Sequence, residues 1–461
     1  MNESKDSSLY YLKSAPIPRA IAHMALPMMA GMVLDLVYNM IDAFFVGQMR
    51  DTSMLAAVAL AFPVPILLMG VAQIFGVGAG TLVPRLLGKG DERGAREASA
   101  TAFYLVFAAG ILLAALILPV LGPLVRLLGA RGESYAPTYS FVLVSVLGSP
   151  FLVATPALAE MIRGEGSSKA SMKGMMISVA ANIAMDPLLI FGFRLGVAGA
   201  ALATVIANAF AVAYFTWFLG RRSKAQSIAW RDFRPSGATL SAIFGVGSSA
   251  LIFTALMLVS ALVFNSLAMS FDESVVAAFG VANRVTQICE FLAQGLFAGV
   301  VPLLAFSYAS GDRSRLAAVV KTCVGAFVIV TFAAGALLYG FRDGILRLFS
   351  SDPAVLARGA DLLTAMLVAA LFGGFANMFT DSFQAFGAAG PATLLSMLRG
   401  FALIPMLFLG RQALGLEGVI WALPVSDALG ALAGASLWLL QGKKILSVPV
   451  EERGELLPQA G

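Results

Sequence analysis

Long apolar runs set the first constraint on this chain. Twelve of them follow one another with short connectors, near 20–46, 55–82, 100–127, 136–162, 172–193, 197–219, 239–268, 275–305, 317–340, 358–385, 391–413 and 417–440. About 20 mostly apolar residues make one helix long enough to cross a bilayer, and no soluble core absorbs twelve such segments. Over 461 residues only 12% are charged and 59% are hydrophobic, too little charge to cover a soluble protein of this size. Alternating ten-residue strands of the barrel type are absent, so the spanning elements are expected to be helices. The expected fold class is an all-α integral membrane protein with twelve transmembrane helices, numbered here as spans 1 to 12.

The first twenty residues, "MNESKDSSLYYLKSAPIPRA", are polar and lack the apolar core of a signal peptide, so they are expected to stay on the chain. Cys289 and Cys323 both fall in expected spans and read as small buried hydrophobes. Orientation follows from the loops. Of the 31 Lys and Arg residues, 21 lie on the side of the N-terminus, 8 on the other side, and Arg284 and Arg399 inside spans. The excess places both termini in the cytoplasm, in the cell (inner) membrane. The net charge of +5 is that topogenic bias, so no nucleic acid is expected as a partner.

An internal repeat divides the chain. "LAAVALA" (55–61) resembles "VAAFGVA" (276–282), "GKGDERGA" (88–95) lies over "ASGDRSRL" (309–316), and "RGEG" (163–166) meets "QAFG" (384–387), all at an offset of 221. "GVAGAALA" (196–203) resembles "GLEGVIWA" (415–422) at 219. The expected organisation is a terminal segment 1–19, a lobe of six spans over 20–219, a basic linker 220–238, a second lobe over 239–440 and a tail 441–461. Six spans per lobe make both lobes run the same way, so a pseudo-two-fold axis is expected along the membrane normal. Two-lobed carriers of this kind work by moving one lobe against the other.

Ionisable residues inside a span cost roughly 2.5–3.5 kcal/mol each on insertion scales, so each is a functional candidate. In span 1, Asp35, Asn39 and Asp42 share a face at i, i+4 and i+7. In span 5, Asn182 and Asp186 share a face. Counting residues from the span ends puts Asp42, Asn182, Asp186 and Thr204 of span 6 at nearly one depth. Two carboxyls, an amide and a hydroxyl at one level suit a hard monovalent cation such as Na+ or a shared proton. Pro187 donates no N–H, so the carbonyl of Ile183 is expected to be freed nearby.

The second half does not copy this site, because the offset carries Asp42 to Val263 and Asp186 to Leu407. Its polar residues are Arg284, Gln287, Glu290 and Gln294 on span 8, Asp381 on span 10 and Arg399 on span 11. For Arg284, Arg399 and Asp381 two readings stand side by side: an Arg284–Asp381 or Arg399–Asp381 pair that holds that lobe together, or a contact with substrate. Met32, Tyr38, Asp35, Asn39, Gln287 and Glu290 are candidates to line a substrate cavity. The stripes Met28, Met29, Met32 and Phe375, Phe379, Phe383, Phe386 read as core, lipid-facing or cavity lining. His23 reads as structural.

By these motifs the chain resembles the MATE (multidrug and toxic compound extrusion) family, within the wider superfamily of multidrug, oligosaccharidyl-lipid and polysaccharide exporters. "LVYNMIDAFFVGQM", "IRGEGSSKASM", "NIAMDPLLIFGF" and "GVAGAALATVIAN" carry the likeness, which is strongest to a prokaryotic branch whose coupling site lies in the N-terminal lobe. The resemblance implies a cation or proton site at Asp42, Asn182, Asp186 and Thr204, and a span 1 bend at Pro27. Ala159 and Glu160 stand where that branch usually has an Asn pair, so Glu160 is a further titratable candidate, and Asp35 replaces a more usual amide. Span 7 has no acid, unlike the branch that couples through a span 7 Glu. The implied function is a secondary-active antiporter that exports amphipathic, cationic organic compounds in exchange for H+ and/or Na+ by alternating access. It needs no cofactor and no obligate protein partner, only membrane lipid around it. A lipid-linked oligosaccharide flippase of the same superfamily is the alternative. No GxxxxGK[ST] or DDxxD motif points to an ATP-driven pump or a membrane prenyltransferase, so no enzyme is expected.

Overall fold

Prolines and glycines decide where the apolar runs bend. A computed structural model describes residues 8–49, 51–271, 273–349 and 353–447; most of the expected tail 441–461 and the start of segment 1–19 lie outside them. Every regular element among the described residues is a helix. Among the described residues eleven helices are long and apolar enough to cross a membrane, and twelve spans result when the bent pair Gly132–Leu147 with Ser149–Gly164, at 55°, counts as one. The bend at Gly148 is fixed by Ser149, whose hydroxyl donates to the Gly110 carbonyl at 2.7 Å. Span 2 breaks between Thr52–Ala61 and Pro63–Gly88, where Pro63 opens the second helix. Span 1 runs unbroken as Ile17–Gly47 through Pro27. Large apolar side chains such as Leu112, Leu116, Ile329, Phe332 and Leu432 stay well exposed, as helices bathed in lipid require.

The sequence repeat returns as a repeat of backbone conformation. Gly90 and Gly311 both have φ 77°, Gly166 and Gly387 have 87° and 75°, and Gly196 and Gly415 have 54° and 61°. Each pair sits at matched positions where one helix hands over to the next, a left-handed conformation that glycine adopts without a steric penalty. Asp91 and Asp312, also a matched pair, cap the helices that follow by accepting from the amides of Gly94 and Arg315 at 2.8 and 2.9 Å.

Packing draws a different boundary from the repeat. One compact unit holds Val33–Leu251, the other Tyr11–Met32 with Ile252 onwards, so the divisions fall inside spans 1 and 7. In the second unit the start of span 1 lies backbone to backbone against span 8. A Cβ on Gly299 would sit 2.5 Å from the Cα of Ala25. In the first unit the repeat-matched Gly78 meets the carbonyl of Ile243, from the start of span 7, in the same way. The core of the first unit includes Leu68, Phe75, Leu158, Ile162, Phe215 and Ile243. That of the second gathers Val285, Cys289, Leu362, Met366 and Ile420.

The basic linker is held, not loose. The Ser227 amide donates to the Ser99 hydroxyl at 3.0 Å, and the Tyr104 hydroxyl donates to the Ile228 carbonyl at 2.8 Å. The Ser223 and Ser167 hydroxyls donate to the two carboxyl oxygens of Glu165, which is 2% exposed in the turn between spans 4 and 5. Burial pushes the Glu165 carboxyl up to about 6 from 4.5, against the lowering effect of the two hydroxyls. A carboxyl whose folded value is raised gives stability that is complete below about 4.5 and lost as pH rises through about 6, here about 2 kcal/mol. Thermal unfolding of detergent-purified protein should therefore show stability falling across that window in the wild type and flat in Glu165→Gln. Parallel profiles would contradict the assignment.

Candidate coupling site

Two local features bring spans 5 and 6 together. After Pro187 the α-helix of span 5 gives way to a π turn, Leu188–Gly192, a common response where a proline has removed an N–H. Gly199 of span 6 lies on that turn so closely that a Cβ would sit 2.8 Å from the Leu189 carbonyl carbon and oxygen. This contact sets Thr204 opposite Asn182, with the Asn182 amide 3.3 Å from the Thr204 hydroxyl. In the amide orientation that satisfies both of its ends, Asn182 donates to Asp186 Oδ2 at 2.7 Å and accepts from the Thr204 backbone N–H at 3.3 Å. Gly199→Val should therefore push span 6 off span 5 and cost about 1–3 kcal/mol by overpacking. Thermal unfolding would register that loss, and a valine variant as stable as wild type would contradict the packing.

Span 1 closes the site. The carboxyl groups of Asp42 and Asp186 are neighbours, and the Tyr38 hydroxyl lies beside the Thr204 side chain. Asp186 is 0% exposed, and its Oδ1 has no hydrogen-bond donor. The charged groups acting on this pair are the two acids themselves, with no Lys or Arg among them. Two neighbouring acids without a basic group beside them need a positive charge between them, and a proton or a small hard cation supplies it. The Thr204 hydroxyl and the Tyr38 phenol beside the pair are oxygen groups, the kind hard ions take. No group of three His, Cys, Asp or Glu fit for a metal ion occurs among the described residues.

The other candidates are placed more loosely. Asp35 is half-buried one turn from Tyr38, and exposed Asn39 donates to the Asp35 carbonyl at 2.7 Å, within its own helix. Met32 is half-buried, as are Gln287 and Glu290 in the second unit. Glu160 is ion-paired with Arg163 one turn away. Phe375 and Phe379 line an apolar cavity of about 320 Å³ with Cys323, Met378 and Trp438, whereas Phe383 is fully buried and Phe386 nearly so. His23 stacks on Tyr11 at 3.6 Å, and both cysteines are free and buried.

One expectation is overturned. Neither Arg284–Asp381 nor Arg399–Asp381 is the ion pair of the second unit: Arg284 is exposed, and Arg399 binds Asp427 of span 12 at 3.3 Å and the Asn377 side chain of span 10. Its guanidinium also lies over the Phe253 ring at 4.9 Å. Depth explains the choice. Arg399 is roughly 15 Å from the near end of span 11 and Asn377 roughly 12 Å from the same end of span 10, whereas Asp381 is only about 6 Å in.

Comparison with known proteins agrees with this architecture. The family model MatE matches residues 27–188 and 250–409, one match in each half of the repeat. The chain is 34% identical over 429 residues to the multidrug export protein MepA of Staphylococcus aureus (strain MRSA252), covering 93% of this chain and 95% of that protein. Against MepA of Staphylococcus saprophyticus the identity is 32% over the same shares. Among solved structures, an outward-facing multidrug resistance MATE family transporter of the MOP superfamily superposes with a TM-score of 0.91 at 24% identity, covering 97% of this chain and 100% of that one. A MATE protein in complex with MaL6 gives 0.90 at 24%, covering 96% and 99%. Matched in both halves by one family model and related to MepA over nearly its whole length, this chain belongs to the MATE family of transporters.

Proposed function

We propose that the protein is a multidrug efflux antiporter that exports amphipathic organic cations in exchange for H+ and/or Na+, with Asp42, Asn182, Asp186 and Thr204 carrying the coupling ion. The observation that carries this reading is the fully buried Asp186, beside Asp42 and with one oxygen lacking a donor. Such a pair binds one positive charge when it can be reached from one side of the membrane and gives it up when reached from the other. Family membership and the name of the MepA relatives support drug export as the work to which that exchange is harnessed. The Lys and Arg bias of the loops supports cytoplasmic termini in the cell membrane, and the ion would then enter as substrate leaves. In this reading Asp35 and Tyr38 face the substrate path. The buried Arg399 does not favour a lipid-pyrophosphate flippase, because Asp427 already neutralises it.

The test is efflux of ethidium from proteoliposomes under an imposed pH or Na+ gradient. Gradient-dependent efflux is expected, and the gradient that drives it names the ion. Efflux indifferent to both gradients would contradict ion coupling. No ethidium movement under either would contradict cation export.

A further inference from the structure

The linker that precedes span 7 lies along span 3, and the two together carry a patch that ion coupling does not use. Arg93, Glu97 and Tyr104 fall on one stripe of span 3, at i, i+4 and i+11. The linker follows that stripe. Its Ile228 carbonyl accepts from the Tyr104 hydroxyl at 2.8 Å. The Trp230 and Phe233 rings meet the Tyr104 ring edge-on at 5.0 and 5.3 Å, and stack on each other at 5.0 Å. Nearer the start of the helix, Glu97 meets Arg93 and Arg234 at 2.9 and 3.9 Å, and Asp232 meets Arg96 and Arg231 at 3.8 and 4.0 Å. Each carboxylate is shared by two guanidiniums, and all four arginines are exposed.

Depth and exposure point to a lipid. Trp230 is 69% exposed although the linker beside it is pinned to span 3, so the fold presents this ring and does not hide it. An exposed Trp beside an apolar span belongs at the membrane–water interface. Span 3 carries no charged residue from Ala98 to Val125, which puts Glu97 at the edge of the apolar run and Tyr104 seven residues inside it, roughly 10 Å away. The headgroup region on each side of the hydrocarbon is about 5–8 Å thick. With the aromatic cluster at its inner edge, the guanidiniums stand at the level of the lipid phosphates, whose oxygens suit their paired N–H groups. The Lys and Arg bias explains the sign of the charge on this side, but topology alone asks for no aromatic cluster beside it. Of the other acids at this end, Asp91 is taken up in capping the Gly94 amide, and exposed Arg221, Arg222 and Lys224 at the start of the linker keep the balance positive. We propose that this patch is a docking site for an anionic phospholipid of the leaflet on the linker side. Arg231 and Arg234 hold the headgroup phosphate, and Trp230 and Phe233 lie against the ester region below it. Such a site fastens the linker to the membrane whatever the protein exports.

The test is quenching of tryptophan fluorescence in the full-length protein, held in phosphatidylcholine nanodiscs with a minor share of brominated phosphatidylglycerol or brominated phosphatidylcholine. Subtracting Trp230→Phe from the wild type isolates the signal of Trp230 from those of Trp217, Trp421 and Trp438. Brominated phosphatidylglycerol should quench Trp230 more strongly than brominated phosphatidylcholine, and the difference should fade with added salt. Arg231→Gln with Arg234→Gln should lower the preference for phosphatidylglycerol about fivefold for each guanidinium removed. Arg231→Lys with Arg234→Lys keeps the charge and should keep most of the preference, which separates lost charge from lost folding. Equal quenching of Trp230 by the two lipids, or an unchanged preference in the folded glutamine variant, would overturn the proposal and leave export standing. Loss of the preference to inorganic phosphate at constant ionic strength would overturn it too, by assigning the patch to a free anion.

Discussion

Asp186→Asn is expected to abolish gradient-driven efflux while the protein still folds. The amide has the same size and keeps an oxygen for the Asn182 N–H that Asp186 accepts at 2.7 Å, so the packing of spans 5 and 6 has no reason to change. What disappears is the negative charge beside Asp42. Changing an outer partner of a bound ion commonly lowers affinity or activity 10- to 100-fold, and Asp186 would touch the ion itself. A loss on the order of 100-fold or more in ion-coupled rate follows. Binding of a cationic dye in the absence of a gradient should persist. A folded variant that still effluxes at the wild-type rate would remove Asp186 from the coupling site.

Arg399→Leu is expected to have the largest effect on stability. It removes a guanidinium that is 5% exposed and leaves Asp427 with no positive partner. Breaking a buried ion pair from one side costs about 3–5 kcal/mol, enough to consume much of the margin of a typical protein. Little folded variant should be recovered from membranes, and what is recovered should melt early. The double variant Arg399→Leu with Asp427→Leu removes both members of the pair and should be the more stable of the two. A single variant as stable as wild type would contradict the pairing. A double variant no better than the single would place the cost in lost packing on Phe253 and not in the orphaned charge.

The grouping of Asp42, Asn182, Asp186 and Thr204 was legible in the sequence because these residues lie at one depth on neighbouring spans. Residue counts from span ends give depth at about 1.5 Å per residue, and that was enough to group Asp42, Asn182, Asp186 and Thr204. The approach of the Tyr38 hydroxyl to Thr204 was not legible, since it depends on the rotation of span 1 about its axis. The Arg399 cluster was read wrongly for a different reason. Asp381 is the only acid on span 10 near the expected depth, so it was paired by type, although Asn377 one turn deeper matches Arg399 in level. Asp427 carries no signal of an acid from the repeat, because its counterpart at the local offset of 219 is the neutral Asn208. Glu165 looked like part of a loop motif. Its burial comes from the linker folding back through Ser223, Gln226 and Ser227, which a polar, basic stretch does not announce. The matched glycines of the two halves were visible as letters, and only the structure shows that they share a left-handed backbone.

If the Asp42–Asp186 pair carries an ion inward for substrate carried outward, the two fluxes are tied to each other. The most direct measurement loads proteoliposomes with a pH or Na+ reporter and counts ions moving against each tetraphenylphosphonium transported, for wild type and for Asp42→Asn. Ion movement opposite to substrate at a fixed ratio is expected in the wild type, and none above leak in the variant. Substrate transport without counter-movement of either ion in the wild type, or an unchanged ratio in Asp42→Asn, would contradict it.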